Sequence, residues 1–173
     1  KEKNLKALDA PVSGGDIGAK NGTLSIMVGG EQKDFEACKN IFDSLGKTVI
    51  YEGKAGSGQH TKMANQIAIA GVMAGVSEAI AYGKKVGLDI PTMLNSISNG
   101  AAQSFHMTNN APKMYKRDFE PGFYIKHIGK ELKIASEEMP NLEVLKNVLH
   151  MYQTLEKNGD GNSLYNLRWV DRD

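Results

Sequence analysis

From Met63 to Ser77 the chain carries no charged residue, and a lone cation, Lys62, stands at its mouth. A run so apolar is either buried or spans a bilayer. It is shorter than the roughly 20 residues a span requires, and it contains Asn65 and Gln66. The expectation is a long core helix from about Ser57 to Lys85, on the order of 40 Å at 1.5 Å per residue. On a 3.6-residue period Lys62, Asn65, Gln66 and Ile69 share one face, and Met63, Ile67, Ala70 and Ala74 share the opposite one. Both faces turn apolar or small further along, so burial nearly all round is expected. Gly71 and Gly75 would let another helix approach closely.

The residues before Gly56 read differently from those after it. "LKALDAPV" (Leu5 to Val12), "TLSIMVGG" (Thr23 to Gly30) and "KTVIYEG" have strand character, and "EQKDFEACKNIFDSLG" is an amphipathic helix. In that helix Phe35, Cys38, Ile41, Phe42 and Leu45 share a face, with Gly46 at the C-cap position. After Gly56 there is no good strand signal. Asp89 and Pro91 open a helix, and others fit Ala102 to Lys116, Tyr124 to Glu138 and Leu142 to Lys157. Gly159 and Gly161 break the last, and "SLYNLRWV" adds a short helix. The expected boundary separates an α/β part, residues 1–55, from an all-helical part, residues 56–173.

Composition removes several function classes. Lysine plus arginine total 21 and aspartate plus glutamate 20, a net charge of +1, which gives no support to a nucleic-acid or anionic-membrane partner. The single cysteine, Cys38, rules out an internal disulfide and a cysteine-based zinc cage, and a reducing, cytoplasmic setting is inferred. His60, His106, His127 and His150 show no metal-ligand spacing. On the helix near residue 130, Lys126, Lys130 and Lys133 lie opposite Ile125, Ile128, Leu132 and Ala135. That pattern is a solvated basic face, or one of the lysines lines a cleft.

Two stretches carry chemistry. Lys62 lies in the first turns of a largely buried helix, where desolvation and the positive helix end both push an ammonium toward losing its proton. Such a lysine can exchange a proton near neutral pH; the other reading is a lysine that snorkels to water. Asn65, one turn on, can donate and accept beside it. In "DAPVSGGDIGAKNGTL", Ser13, Gly14 and Gly15 leave bare backbone that suits an anion nest or a plain turn. No G-x-G-x-x-G and no Walker loop is present.

"DAPVSGGDIGAKNGTLSIMVGG", "GSGQHTKMANQ", "DFEPGF" and "HIGKELKIA", in this order, together resemble the β-hydroxyacid dehydrogenase family. The resemblance spans nearly the whole chain. It implies the last strands of a Rossmann-like sheet, a long interdomain helix, and an all-α domain of the 6-phosphogluconate dehydrogenase C-terminal type. It implies that Lys62, within G-x-G-x-x-x-K-x-x-N, is catalytic. Ser13, Gly14 and Gly15, within D-x-P-V-S-G-G, would hold a substrate carboxylate, with Asn65 beside it and Phe123 as a wall. Lys130 matches the lysine of K-D-L, near the cofactor, and Glu131 replaces the usual aspartate.

The implied cofactor is NAD or NADP, and the implied substrate a small carboxylate-bearing hydroxy acid or semialdehyde. A homodimer or homotetramer is expected. The G-x-G-x-x-G cradle such enzymes use for pyrophosphate is missing from this sequence, so the chain is expected to be a C-terminal fragment that does not turn over alone. The competing reading is a catalytically idle helical dimerisation module. Within the superfamily, a 6-phosphogluconate dehydrogenase would need a basic cluster for the phosphate, and imine reductases usually lack the lysine.

Overall fold

A computed structural model describes residues 5–118 and 123–163; the short helix expected over "SLYNLRWV" and the residues Glu120 and Pro121 lie outside them. The chain divides into two compact units, Lys1–Asn65 and Gln66–Asp173.

The first unit is built on a three-stranded sheet in the order β1-β2-β3. Strand β1 (Val12–Ser13) pairs antiparallel with β2 (Leu24–Gly29), and β2 pairs parallel with β3 (Gly46–Gly53). The strand expected over Leu5 to Val12 is not continuous. It consists of one antiparallel bridge, Asp9 to Gly29, and the two residues of β1. Pro11, between them, has no N–H and only accepts, from Met27 N–H at 3.0 Å. The expected loop after β1 holds a short helix instead, α1 (Gly15–Lys20).

Helix α2 (Gln32–Leu45) covers the sheet. Phe35 stacks on Tyr51 and Phe42 with ring centroids 5.4 and 6.2 Å apart. These join Ile26 and Val28 in a core where each fully buried side chain contributes about 1.5–3 kcal/mol. The face read from the sequence is only half right, because Ile41 and Leu45 are exposed. Helical period identified the stripe, but it is the line of Phe35 and Phe42 that packs in the sheet core, and Ile41 and Leu45 fall at its edge. Gly46 passes directly into β3 in extended conformation (φ −144°) instead of the left-handed turn that ends many helices.

Helix α3 (Ser57–Lys85) has the limits read from the sequence. Its most apolar 18-residue window has a mean hydropathy of 1.3, enough by length and composition for a membrane span. Ala70, Met73, Val76 and Ile80 are buried, and the buried Ser77 hydroxyl donates to the Met73 carbonyl at 2.8 Å, one turn back. Burial is not all round, however. Val72 and Tyr82 are exposed, and among the described residues nothing outside the helix's own backbone lies within 4 Å of where a Cβ would stand on Gly71 or Gly75.

In the second unit, helix α4 (Ile90–Ile97) starts at Asp89, whose carboxylate accepts from Thr92 N–H at 3.0 Å. Hydrogen bonding from the Thr92 side chain, and then from its N–H, holds the Asp89 carboxyl below its usual range. The helix expected from Ala102 begins later. The Ser104 hydroxyl accepts from Met107 N–H at 3.0 Å and so caps it. It opens with a π-turn, His106–Asn110, and continues as α5 (Ala111–Tyr115). Pro112 brings no N–H to this helix, and a wider turn accommodates the missing bond. The buried His106 Nδ1 accepts from the Asn110 amide at 2.9 Å, and burial lowers its pKa.

Helices α6 (Ile125–Glu138) and α7 (Glu143–Lys157) pack together. Ile125, Ile128, Leu132 and Ala135 face inward against a core that includes Leu145, Leu149 and Tyr152. Lys126, Lys130 and Lys133 are exposed on the other side, as their spacing predicts. A short 3₁₀ turn, Asp160–Asn162, follows α7.

Candidate active site

Two sequence motifs, about fifty residues apart, form one joint in the first unit. Asp9 opens the first motif. Its backbone is fixed to β2 by paired bonds with Gly29, Asp9 N–H to Gly29 O at 3.0 Å and Gly29 N–H to Asp9 O at 2.8 Å. Its carboxylate then caps α3 from across the chain, accepting from Gly56 N–H at 2.7 Å and Gln59 N–H at 3.0 Å. Burial would raise the pKa of this carboxyl. The backbone donors at Gly56 and Gln59 outweigh burial, and the net shift is downward. The first turn of α3 has no acidic residue of its own, so this distant carboxylate complements its positive end.

Close contact at the joint depends on glycine. A Cβ on Gly58 would press on the Met27 carbonyl oxygen and lie 2.8 Å from Asp9 Oδ2. On the facing strand, a Cβ on Gly29 would lie 2.6 and 2.7 Å from the two carboxylate oxygens of Asp9. The G-x-G of the second motif therefore admits the helix end to the strand that carries the first motif.

One turn further along α3, the half-buried Lys62 donates from Nζ to the Val12 carbonyl at 2.9 Å. Val12 immediately precedes Ser13, the last residue of β1. The ammonium is thus brought to the edge of the Ser13–Gly15 loop, and does not project away from it. Ser13 is half-buried, while Gly14 and Gly15 are exposed. Both glycines have positive φ, 127° and 64°, which side-chain-bearing residues rarely adopt. They lead into the first turn of α1, whose N–H groups have no partner within that helix. Asn65 follows on α3, half-buried.

In the second unit, Phe123 lies before α6, with its ring centroid 6.0 Å from that of His127. Lys130 is exposed on α6. Its neighbour Glu131 accepts from Gln66 Nε2 at 2.5 Å, and Gln66 is only 2% exposed. Sequence reasoning missed both Asp9 and this pair. For Asp9 the available signal is the absence of any acid in the first turn of α3. For Gln66 it is an amide on a helix otherwise made of small and apolar residues. A separate hollow of about 300 Å³, lined by Lys6, Leu8, Asp34, Ala37 and Cys38, does not include Lys62; its buried Asp34 is paired with Lys6 at 2.8 Å.

Comparison with known proteins agrees with these motifs. Residues 56–164 match the model of the NAD-binding domain of NADP-dependent 3-hydroxyisobutyrate dehydrogenase, and residues 1–53 match the NAD-binding domain of 6-phosphogluconate dehydrogenase. An uncharacterized oxidoreductase of Bacillus subtilis is 54% identical, over 98% of this chain and 62% of its own length. The 2-hydroxy-3-oxopropionate reductase of Escherichia coli is 40% identical, over 88% of this chain and 53% of its own. Among solved structures, 3-hydroxyisobutyrate dehydrogenase of Salmonella typhimurium superposes with a TM-score of 0.83 at 25% identity, covering 96% of this chain and 60% of its own. The chain therefore spans between about half and three fifths of these relatives' length. With a small sheet, a helical remainder and two adjoining matches to nicotinamide-dinucleotide domains, the chain belongs to the β-hydroxyacid dehydrogenase family, oxidoreductases whose cofactor is NAD or NADP.

Proposed function

We propose that this chain supplies the proton-transfer lysine and the substrate loop for oxidation of a small hydroxy acid, or for reduction of the matching semialdehyde. The observation that carries the proposal is the Lys62 ammonium held 2.9 Å from the Val12 carbonyl, one residue before the Ser13–Gly15 loop. A carboxylate bound by the backbone of Ser13, Gly14 and Gly15 fixes the substrate's C–O bond. Asn65 hydrogen-bonds the substrate beside it. Lys62 takes the hydroxyl proton in oxidation and returns it to the forming alkoxide in reduction. A positioned acid–base group contributes typically about 10²–10⁴-fold, and anchoring of the carboxylate adds to it.

The nicotinamide, when bound, accepts or donates the hydride. Of the residues here, Lys130 is suited to an anionic phosphate of the dinucleotide, since it is exposed on α6. The sequence has no G-x-G-x-x-G turn for the pyrophosphate, so these residues provide only part of the cofactor's contacts. Phe123 provides an apolar wall for substrate. 3-Hydroxyisobutyrate, tartronate semialdehyde, glyoxylate, succinic semialdehyde and larger hydroxymethyl diacids all present the required carboxylate.

The test is a panel of these acids with NAD and NADP on the whole protein, together with the methyl ester of each acid turned over. The acids are expected to react and the esters to lose most of kcat/KM. An ester as good as its acid would remove the carboxylate anchor from the account. The exposed Val72 and Tyr82 of α3, with Val86 just beyond it, also favour a homodimer or homotetramer; sedimentation showing only monomer at tens of micromolar would refute that.

A further inference from the structure

We propose that Asp9 is a positioning residue for proton transfer: its carboxylate holds the first turn of α3 against the strand that leads to Ser13–Gly15, and so places the Lys62 ammonium at that loop. The inference rests on the reading of Lys62 as the proton-transfer group. Asp9, Val12, the Ser13–Gly15 loop and the start of α3 as far as Asn65 all belong to the first unit. Two ties join strand and helix there. Asp9 Oδ1 accepts from Gly56 N–H at 2.7 Å and Oδ2 from Gln59 N–H at 3.0 Å. Lys62 Nζ donates to the Val12 carbonyl at 2.9 Å. Lys62 follows Gln59 by three residues, which puts it on the same side of the helix, about 4.5 Å further along the axis. A cap needed for helix stability alone comes from the residue before the helix, as Asp89 supplies for α4. Asp9 reaches α3 from 47 and 50 positions away, and from the strand that carries the loop.

The two sides of this frame are held differently. On the strand side the backbone suffices. Paired bonds join Asp9 to Gly29, Met27 N–H donates to the Pro11 carbonyl at 3.0 Å, and Val12 and Ser13 pair with Ile26 and Ser25. None of these uses the Asp9 side chain, so the loop keeps its place without it. On the other side, α3 leaves β3 through a turn bounded by Gly53 and Gly56, with φ of 118° and 91°. Glycine at both ends leaves many directions open to the helix, and the two carboxylate bonds select one. The carboxyl is an anion at neutral pH, its shift being downward despite burial, so both bonds are charge-assisted and directional. Lys62 lies on the next turn of the same helix. A shift of about 1 Å at the cap therefore moves it about as far, and such a misplacement can lower a rate by about 10²-fold.

The experiment measures kcat and KM separately in the whole protein for Asp9→Asn, Asp9→Ala and the control Asp89→Ala, and for both Asp9 changes combined with Lys62→Met. Thermal unfolding is recorded for each, and rates are taken well below the lowest unfolding temperature. Asp9→Asn keeps the size of the side chain but offers one acceptor oxygen to two N–H groups. It and Asp9→Ala are expected to lower kcat about tenfold or more, with KM changed less than about threefold because the backbone holds the loop. Asp89→Ala also removes a helix cap, away from the reaction, and is expected to keep the parent kcat. In the slow Lys62→Met protein either Asp9 change is expected to cost less than about a further twofold, since there is no ammonium left to misplace. A kcat within about twofold of the parent in Asp9→Asn overturns the proposal. So does a loss that persists undiminished in Lys62→Met, or an equal loss in Asp89→Ala, either of which would make Asp9 merely structural. Should Asp9→Ala fail to fold, Asp9→Asn decides by the same criteria. If Lys62→Met is slow while Asp9→Asn is fully active, only the positioning role fails; if Lys62→Met is fully active, the reading of Lys62 fails and the positioning role falls with it.

Discussion

Replacing Lys62 with methionine is expected to lower kcat of the whole protein by about 10²–10⁴-fold while leaving the fold intact. Methionine keeps most of the lysine's apolar stem, which is the part that packs along a surface. The structural loss includes the bond to the Val12 carbonyl, and a hydrogen bond from a charged group at a half-exposed position contributes about 1–2 kcal/mol at most. That is small beside the 5–15 kcal/mol stability of a typical domain. Steady-state rates with the best substrate from the panel, together with circular dichroism and thermal unfolding, check both halves. A variant within tenfold of the parent rate would assign the proton transfer to another group. A variant that is inactive because it is unfolded would show instead that the lysine is structural.

The second large effect is on folding, and it falls on the joint between the motifs. Gly58→Ala places a Cβ against the Met27 carbonyl and within 2.8 Å of Asp9 Oδ2. Both neighbours are held, one by the sheet and one by its hydrogen bonds to Gly56 and Gln59. The helix end must therefore move off the strand, at about 1–3 kcal/mol or more. Asp9→Ala removes the acceptor for those N–H groups, a loss of about 1–3 kcal/mol after allowance for solvent screening. Because both changes open the same joint, the double variant is expected to lose less than the sum of the singles. Urea unfolding of the four proteins measures this.

Asp9 adds a pH signature. Its folded carboxyl titrates below the usual value of about 3.9. Its stabilisation is therefore fully present above about pH 4 and fades as pH falls through the folded value. The Asp9→Ala protein should lose less stability than the parent on acidification through that window. Equal losses would place the acid sensitivity elsewhere.

The parts of this fold that were legible in the sequence are those whose cause is local. The limits of α3 follow from a glycine-rich entry and two closing lysines. The α6 faces follow from the spacing of Ile125, Ile128 and Leu132 against Lys126, Lys130 and Lys133. Asp89 and Pro91 mark a helix start by chemistry confined to four residues. The parts that were not legible have distant causes. Whether Ile41 and Leu45 are covered depends on how far the sheet extends beneath α2, which period alone does not state. Leu5 to Val12 has strand composition, but Pro11 removes the donor a continuous ladder needs. The exposed flank of α3 has the composition of a buried one. At the site, Lys62 and the Ser13–Gly15 loop were legible as motifs that belong together, while the groups that join them, the Asp9 carboxylate and the Val12 carbonyl, were not. Asp9 caps a helix nearly fifty residues away, and Gln66 meets Glu131 across 65 positions.

Chemical rescue tests the central claim most directly. In Lys62→Ala, small primary amines added to the assay can enter the space vacated by the side chain. The account predicts that methylamine and ethylamine restore turnover in proportion to their concentration, with a dependence on amine pKa, and leave the parent protein unaffected. No rescue by any amine small enough to fit, or equal stimulation of the parent, would contradict the assignment of proton transfer to Lys62.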